Sequence, residues 1–231
     1  MNPLNSEDPV AEVLDVVSTR GIQEIVHFTS NHGLVGMLEL KCALSRRQLP
    51  EAKHLAYLAA PTSAQRQEAT SFFNKDEDWL DFLNLSISEI NFHYFNIAAT
   101  KWHNSGDRWW TILSFSPTIL SHDDVFFTTT NNVYVEHVNR ERGASGLVKL
   151  FEDRIRRKGD WTAHRGTRPE NLPTCQQAEV LYPGRLSLEH LVKIYVRTDD
   201  EHDIVAGWLR LYSVNNVQIV IEPRKFKGVP N

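Results

Sequence analysis

The chain has 231 residues, of which 41% are hydrophobic and 23% charged, so it can bury a sizeable core. Its formal net charge of −4 and its two distant cysteines, Cys42 and Cys175, exclude a generally basic nucleic-acid binder and a zinc site built on cysteine pairs. No apolar run reaches the roughly 18–20 residues of a membrane span, and the polar, acidic beginning is not typical of a signal peptide. We therefore expect one domain over residues 1–231, in the reducing cytoplasm and without membrane contact.

Helical spacing of apolar residues predicts a first helix over residues 9–20. A short strand follows over 22–30, and Ser30 or Asn31 is a plausible cap for a second helix that reaches residue 40. Residues 62–73 have the composition of a polar helix. The apolar–polar alternation over 82–88 is typical of a strand.

Residues 109–120 are predicted to form a buried strand, and 125–135 a strand and turn. Residues 146–157 have the spacing of an amphipathic helix, with Leu147, Leu150, Phe151 and Ile155 on one face. Three more strands are predicted over 176–183, 191–198 and 216–223. Because the strands alternate with helices too irregularly for a doubly wound sheet, the pattern indicates an α+β domain.

Polar residues stand where a purely structural sequence does not need them. His27 and Thr29 alternate onto one face near the end of a strand and precede Asn31, although a strand edge and a helix cap give the same pattern. Arg46 and Arg47 either bind phosphate, which matches the planar guanidinium fork, or are a solvated pair on the surface. Ser86 shares a strand face with Asn84 and Ser88, which lines a cleft or is the wet face of an antiparallel strand.

Gln177 and Glu179 lie two residues apart in the stretch QQAEVLYPG. In an extended chain their side chains point to the same face. Apolar neighbours would partly desolvate the glutamate, raise its pKa and suit it to act as a base. An exposed glutamate on an edge strand is the structural alternative.

The basic residues are concentrated in one segment. Residues 140–168 hold nine Lys/Arg against four Asp/Glu, a balance of +5 on an acidic chain. Such a segment is either a contact for an anionic polymer or a solvated helix face. As an anion contact it would use the residues that precede the strand predicted over 176–183: Arg154, Arg157, Lys158, Arg165 and Arg168.

The order of these features resembles an ADP-ribosyltransferase, and more narrowly the DarT family of DNA ADP-ribosyltransferase toxins. Three segments carry the resemblance: EIVHFTSNHGLVGMLE, DVFFTTTNN and CQQAEVLYPGRL. It spans nearly the whole chain. It implies an ADP-ribosyltransferase-like fold with a central mixed or antiparallel β-core and flanking helices.

The resemblance also implies NAD as the substrate, with no metal. Glu179 is then the catalytic carboxylate that stabilises an oxocarbenium-like transition state, and Gln177 positions the acceptor. NAD is held by His27, Thr29 and one of Arg46 and Arg47. The polar positions add Asn31 and Ser86 as candidate NAD contacts.

The implied acceptor is a base in single-stranded DNA, and the implied partner is a cognate antitoxin. Thymine-modifying members carry a Val-Pro-Phe-Tyr-Phe-x-Pro-Arg-Ser stretch in the middle, where this chain has LNLSISEINFHYF. This departure favours the subfamily that resembles guanine-modifying enzymes, which pair with NADAR-type antitoxins rather than with macrodomains. An RNA or protein acceptor, or an idle nucleic-acid-binding α+β protein, remains an alternative.

Overall fold

The structure is a computed structural model, which describes residues 8–48, 79–102 and 106–229. The polar helix predicted over 62–73 lies outside these residues. Across the described ranges, no helix is both long and apolar enough to span a membrane.

Side-chain caps define where the main helices begin. Asp8 accepts a hydrogen bond from the Val10 amide, Ser30 from that of Gly33 and Thr198 from that of Glu201. The first two helices and the Ser30 cap are confirmed. The helices of the described segments are α1 Pro9–Thr19, α2 Asn31–Leu40, α3 Phe92–Ile97, α4 Gly143–Lys149 and α5 Asp199–Leu211.

Eight strands of the described residues form one sheet in the order β12-β11-β4-β1-β3-β9-β5-β6. Its pairings are antiparallel except that of β11 with β12. Two short ribbons, β2–β10 and β7–β8, stand beside it. The mostly antiparallel sheet and flanking helices confirm the α+β prediction. The strands are β1 Ile25–Ser30, β2 Cys42–Leu44, β3 Phe82–Ile87, β4 Trp110–Phe115, β5 Phe126–Thr128, β6 Arg140–Arg142, β7 Arg154–Arg156, β8 Thr162–His164, β9 Glu179–Pro183, β10 Arg185–Ser187, β11 Leu191–Val196 and β12 Gln218–Ile221.

Apolar cores cover both faces of the sheet, because alternate residues of a strand point to opposite sides. Leu85 and Val180 face the larger core, which α1, α2, α4 and α5 cover. Val26 and Trp110 face a smaller core, covered by Phe95 of α3 and by Phe226. Glu179, which precedes Val180, therefore points to the side of the smaller core.

The pairing between β1 and β3 is short, and this creates the site. The two strands pair only at Ile25↔Ile87 and Val26↔Ser86. Beyond these positions β1 pairs with β4 alone, and β3 with β9. The sheet therefore opens between β1 and β3, and His27 is the first β1 residue beyond the break.

Two sequence predictions about local structure were wrong. The helix predicted over 146–157 ends at Lys149, and Arg154–Arg156 pairs instead with Thr162–His164 as a hairpin. The strand predicted to begin at 176 begins at Glu179. Helix α5, with Thr198 as its cap, was not predicted.

Candidate active site

The Glu179 carboxylate is held in place by hydrogen bonds from two segments. It is the first residue of β9 and only 8% exposed. Its Oε2 accepts a hydrogen bond of 2.8 Å from the Asn132 backbone amide, and the Asn84 side chain supplies another. The acid is therefore oriented before any substrate binds.

Arg140 provides the nearby positive charge. Thr128 of β5 pairs with Glu179 on one side and with Arg140 of β6 on the other, so all three point to the same face. Arg140 donates to the Oδ1 and backbone oxygen of Asn132 at 2.5 and 2.8 Å. Arg140 thereby fixes the position of the Asn132 backbone amide, which donates to the Glu179 carboxylate. Its positive charge also attracts Glu179.

Burial raises the pKa of Glu179 to about 7. The hydrogen bonds from Asn132 and Asn84 and the attraction of Arg140 lower this pKa, but less than burial raises it. The carboxyl group therefore takes up and releases a proton near neutral pH, which suits a general base.

Asn84 links Glu179 to His27 across the opening of the sheet. The His27 ring nitrogen Nδ1 lies 3.0 Å from the backbone oxygen of Asn84, whose side chain binds the carboxylate. Burial lowers the pKa of His27 although the Asn84 oxygen opposes this, so the imidazole is neutral at pH 7. A neutral ring donates through Nδ1 and leaves Nε2 as an acceptor.

Thr29 lies against the beginning of α2. A methyl group added at Gly33 would stand 2.2 Å from the Thr29 hydroxyl oxygen. Any side chain at this position would therefore displace the hydroxyl group. The Asn31 side chain is instead 7% exposed and bonded to the backbone of Asp107 and Trp109. Asn31 thus holds the loop before β4, and we leave it out of the proposed NAD contacts.

Gln177 does not lie on the catalytic strand. A hydrogen bond of 2.9 Å from the Ala178 amide to the Cys175 oxygen closes a turn, so the same-face argument for an extended chain fails. Its Oε1 is buried, and no hydrogen-bond partner lies among the described residues. Gln177 also contacts Tyr134, whose pKa is raised by burial and which interacts with Arg157 and Glu179. Gln177 and Glu179 therefore do not share a strand face, but both interact with Tyr134.

Ser86 and the two arginines have different surroundings. Ser86 is half-buried, faces the Glu179 side of β3 and pairs with Val26 at the break. Arg47 forms an exposed ion pair of 2.9 Å with Asp81. The side chain of Arg46 lies outside the described part of the structure.

The five basic residues predicted to contact nucleic acid fall into two groups. Arg154 and Lys158 are exposed on the β7–β8 hairpin, and Arg157 is half-buried in its turn. Arg165 bonds to Leu172, Thr174, Pro169 and Glu170, and Arg168 is only 9% exposed. Arg165 and Arg168 therefore hold their own loop together, and we keep only the hairpin residues as candidate DNA contacts.

Arg168 forms a buried ion pair with Glu89, which follows β3. Arg168 also donates to the backbone oxygen of Val229, and Glu89 accepts from the Val229 amide at 2.8 Å. We call residues 223–229 the strap; its Lys225 binds the Glu24 carboxylate. The strap and the ion pair fasten the segment 165–176, which leads into the catalytic turn.

Asn84, Asn132, Arg140 and Tyr134 were not among the predicted site residues. Asn84 had a signal, because it shares the polar face of Ser86. Asn132 is the last residue of the motif DVFFTTTNN, which contains β5, but no spacing in the sequence connects it with Glu179. Within the described residues, no group of three or more His, Cys, Asp or Glu side chains is placed to hold a metal ion.

The fold of this chain matches that of solved DarT structures. Three of the matching structures, all at low sequence identity, illustrate the likeness. Thermus sp. 2.9 DarT in complex with ADP-ribosylated ssDNA has a TM-score of 0.60 at 16% identity, over 89% of this chain and 96% of that one. The same protein in complex with NAD+ gives 0.58 at 16% identity, over 88% and 97%. Thermosipho africanus DarTG in complex with ADP-ribose gives 0.54 at 15% identity, over 88% of this chain but 51% of that one.

The family is shown by sequence. The model described as "ssDNA thymidine ADP-ribosyltransferase, DarT" matches residues 26–227, so the chain belongs to the DarT family. This confirms the predicted class, an ADP-ribosyltransferase. A comparison with curated proteins gave no match.

Proposed function

We propose that residues 1–231 act as one domain that transfers ADP-ribose from NAD to a base in single-stranded DNA. The observation that carries the proposal is the buried Glu179 carboxylate, with a pKa of about 7 and hydrogen bonds from Asn132 and Asn84. The complexes of the Thermus relative with NAD+ and with ADP-ribosylated ssDNA support the donor and the acceptor.

In the proposed reaction, the bond between ribose C1′ and the nicotinamide nitrogen breaks, and nicotinamide leaves with the electron pair. A base nitrogen attacks C1′ and gives up its proton to Glu179. The ionised carboxylate also stabilises the oxocarbenium-like transition state. The buried Gln177 Oε1 accepts a hydrogen bond from the incoming base or from a ribose hydroxyl, which would satisfy it.

On the donor side, we propose that His27, Thr29 and Ser86 contact NAD at the opening between β1 and β3. All three are half-buried rather than sealed in a core. One of Arg46 and Arg47 binds the diphosphate, since the guanidinium fork matches its oxygens.

We expect Gly33→Ala to weaken NAD binding without destabilising the fold. The added methyl group displaces the Thr29 hydroxyl, and one lost hydrogen bond corresponds to a roughly 2- to 10-fold higher KM for NAD. Alanine favours a helix over glycine by about 1 kcal/mol, so the melting temperature should not fall. Steady-state kinetics and thermal unfolding test this. An unchanged KM would remove Thr29 from the proposed NAD contacts.

We expect the transfer rate to rise with pH and to level off above about pH 7. Only the ionised Glu179 can accept the proton, and its pKa is about 7, so about a tenth of the full rate remains at pH 6. Single-turnover rates at saturating NAD, from pH 5 to 8.5, measure this dependence. A profile that is flat over that range contradicts the assignment of Glu179 as the base.

For the acceptor, we propose that the base is guanine rather than thymine. The support is the stretch LNLSISEINFHYF, which departs from the thymine-modifying pattern. The family model names thymidine in its description, so thymine is the competing outcome. We further propose that the protein is the toxin of a pair with a NADAR-type antitoxin; the DarTG relative supports a pair, and the predicted guanine preference supports this type over a macrodomain.

Mass spectrometry of a single-stranded oligonucleotide incubated with the protein and NAD tests the proposal. A gain of one ADP-ribose, followed by digestion to nucleosides, identifies the base. A thymidine adduct would overturn the guanine assignment and remove the support for a NADAR-type antitoxin, but it would leave the transfer reaction in place. NAD consumption without any DNA adduct would shift the acceptor to RNA or protein, and no NAD consumption would favour an idle fold.

A further inference from the structure

The β7–β8 hairpin presents an exposed tryptophan. Trp161 is 71% exposed, compared with 37% for Phe92. Tryptophan is highly buried on average in folded proteins, so this side chain is unusually exposed for its type. The chemistry that we assign to Glu179 does not use Trp161.

The tip that carries Trp161 is well defined. The Arg157 amide donates to the Trp161 oxygen at 2.7 Å, and the Trp161 amide donates to the Lys158 oxygen at 3.2 Å. Gly159 adopts a φ of +59° that favours glycine, and Arg156 Nε donates to its oxygen at 3.2 Å. The indole therefore projects from an ordered turn, which lowers the entropy lost on binding.

The base of the hairpin is anchored beside the catalytic turn. Ile155 and Ala163 pack with Cys175 in a small buried cluster. The Cys175 sulfur also accepts a hydrogen bond of 3.4 Å from the backbone amide of Gln177. Gln177 lies two residues before Glu179. A polymer whose reacting unit reaches Glu179 would therefore pass the hairpin.

The outer side of the hairpin is basic. Arg154 and Arg156 pair with His164 and Thr162, and all four side chains are exposed. Within the described residues, Arg154, Arg156 and Lys158 form no ion pair. Cations without an ion-pair partner can bind phosphates, and an aromatic ring beside them can stack on a base. A single nucleic-acid strand offers both groups.

We propose that Trp161 stacks on a base that neighbours the acceptor nucleotide, while Arg154, Arg156 and Lys158 contact the adjacent phosphates. This inference rests on the proposed function, since it takes single-stranded DNA as the acceptor. In a duplex every base is already stacked on its neighbours, so the hairpin selects a single strand. The hairpin would also keep the strand bound while the acceptor base enters the site.

Binding of a fluorescently labelled single-stranded oligonucleotide tests the inference. A Glu179→Gln background prevents turnover, and fluorescence anisotropy gives the affinity. We expect Trp161→Ala to weaken binding about 5- to 150-fold, the usual range for one stacked base. Trp161→Phe should restore most of the affinity. Leu211→Ala, which removes an equally exposed apolar side chain on α5, should change nothing.

Activity assays separate this inference from the proposed function. We expect Trp161→Ala to raise the KM for the oligonucleotide and to leave the KM for NAD unchanged. If the intact protein modifies DNA and Trp161→Ala binds it equally well, the stacking role alone is wrong. If the intact protein binds no single strand, both proposals are wrong. Binding to anionic phospholipid vesicles that requires Trp161, with no effect on DNA, would replace the DNA contact with a membrane contact.

Discussion

Glu179→Gln is expected to reduce ADP-ribose transfer about a hundred- to ten-thousand-fold while NAD still binds. Glutamine keeps the shape of the side chain and can still accept the Asn132 hydrogen bond. It cannot take the proton of the base or offset positive charge on the ribose. Single-turnover transfer rates and calorimetric titration with NAD measure the two effects separately.

The same substitution should stabilise the folded protein above pH 7. The folded-state pKa of Glu179 is about 7, above its ordinary value of 4.5, so the folded protein binds more protons between these values. The carboxylate therefore destabilises the fold progressively from pH 4.5 to 7, and fully above pH 7. The full cost is on the order of 3 kcal/mol. Urea unfolding at pH 4 and pH 8 should show a gain only at pH 8.

Glu136→Gln is the matched control. Glu136 lies in the loop that carries Asn132, but its side chain is 86% exposed. We expect this substitution to leave the rate of ADP-ribose transfer and the free energy of unfolding nearly unchanged. Equal losses of transfer in Glu136→Gln and Glu179→Gln would contradict the catalytic role of Glu179.

Arg168→Met is expected to lower the free energy of unfolding by about 3–5 kcal/mol. The substitution leaves the Glu89 carboxylate, in a residue only 5% exposed, without its cation. The backbone oxygens of Pro173 and Val229 also lose a donor. Urea unfolding at pH 7 measures the loss.

Two further variants test whether the burial of this ion pair causes the loss of stability. Glu89→Leu combined with Arg168→Met should lose less stability than either substitution alone, because no unpaired charge is left inside. Arg142→Met breaks the exposed pair with Asp124, which lies 2.7 Å away, and should cost no more than about 1 kcal/mol. If Arg168→Met costs no more than Arg142→Met, the pair contributes nothing beyond a surface contact.

Where the sequence misled, local spacing gave way to distant contacts. Leu147, Leu150 and Ile155 have helical spacing, but the Leu150 and Glu152 backbone oxygens accept hydrogen bonds from Thr174. Beyond them, Gly159 reverses the chain into the hairpin. The Lys-Gly-Asp sequence of the turn was a local signal that the helical spacing concealed.

The candidate site was predictable to the extent that its residues lie in short motifs. The order of His27, Thr29 and Glu179 along the chain indicated the enzyme class, which the family match confirmed. The roles of Asn132 and Arg140 depend on the register of β9, β5 and β6, which no spacing shows. Charge counting also placed Arg168 on the surface, since a sequence gives the charge of a residue but not its burial.

The strap has a consequence for protein synthesis. The ribosome makes Glu179 before residues 223–229, yet the segment leading to Glu179 is fastened through Lys225 and Val229. A nascent chain that has just exposed Glu179 therefore still lacks the contacts that hold the catalytic turn. The segment that leads to Glu179 is therefore fully fastened only after the strap has left the ribosome.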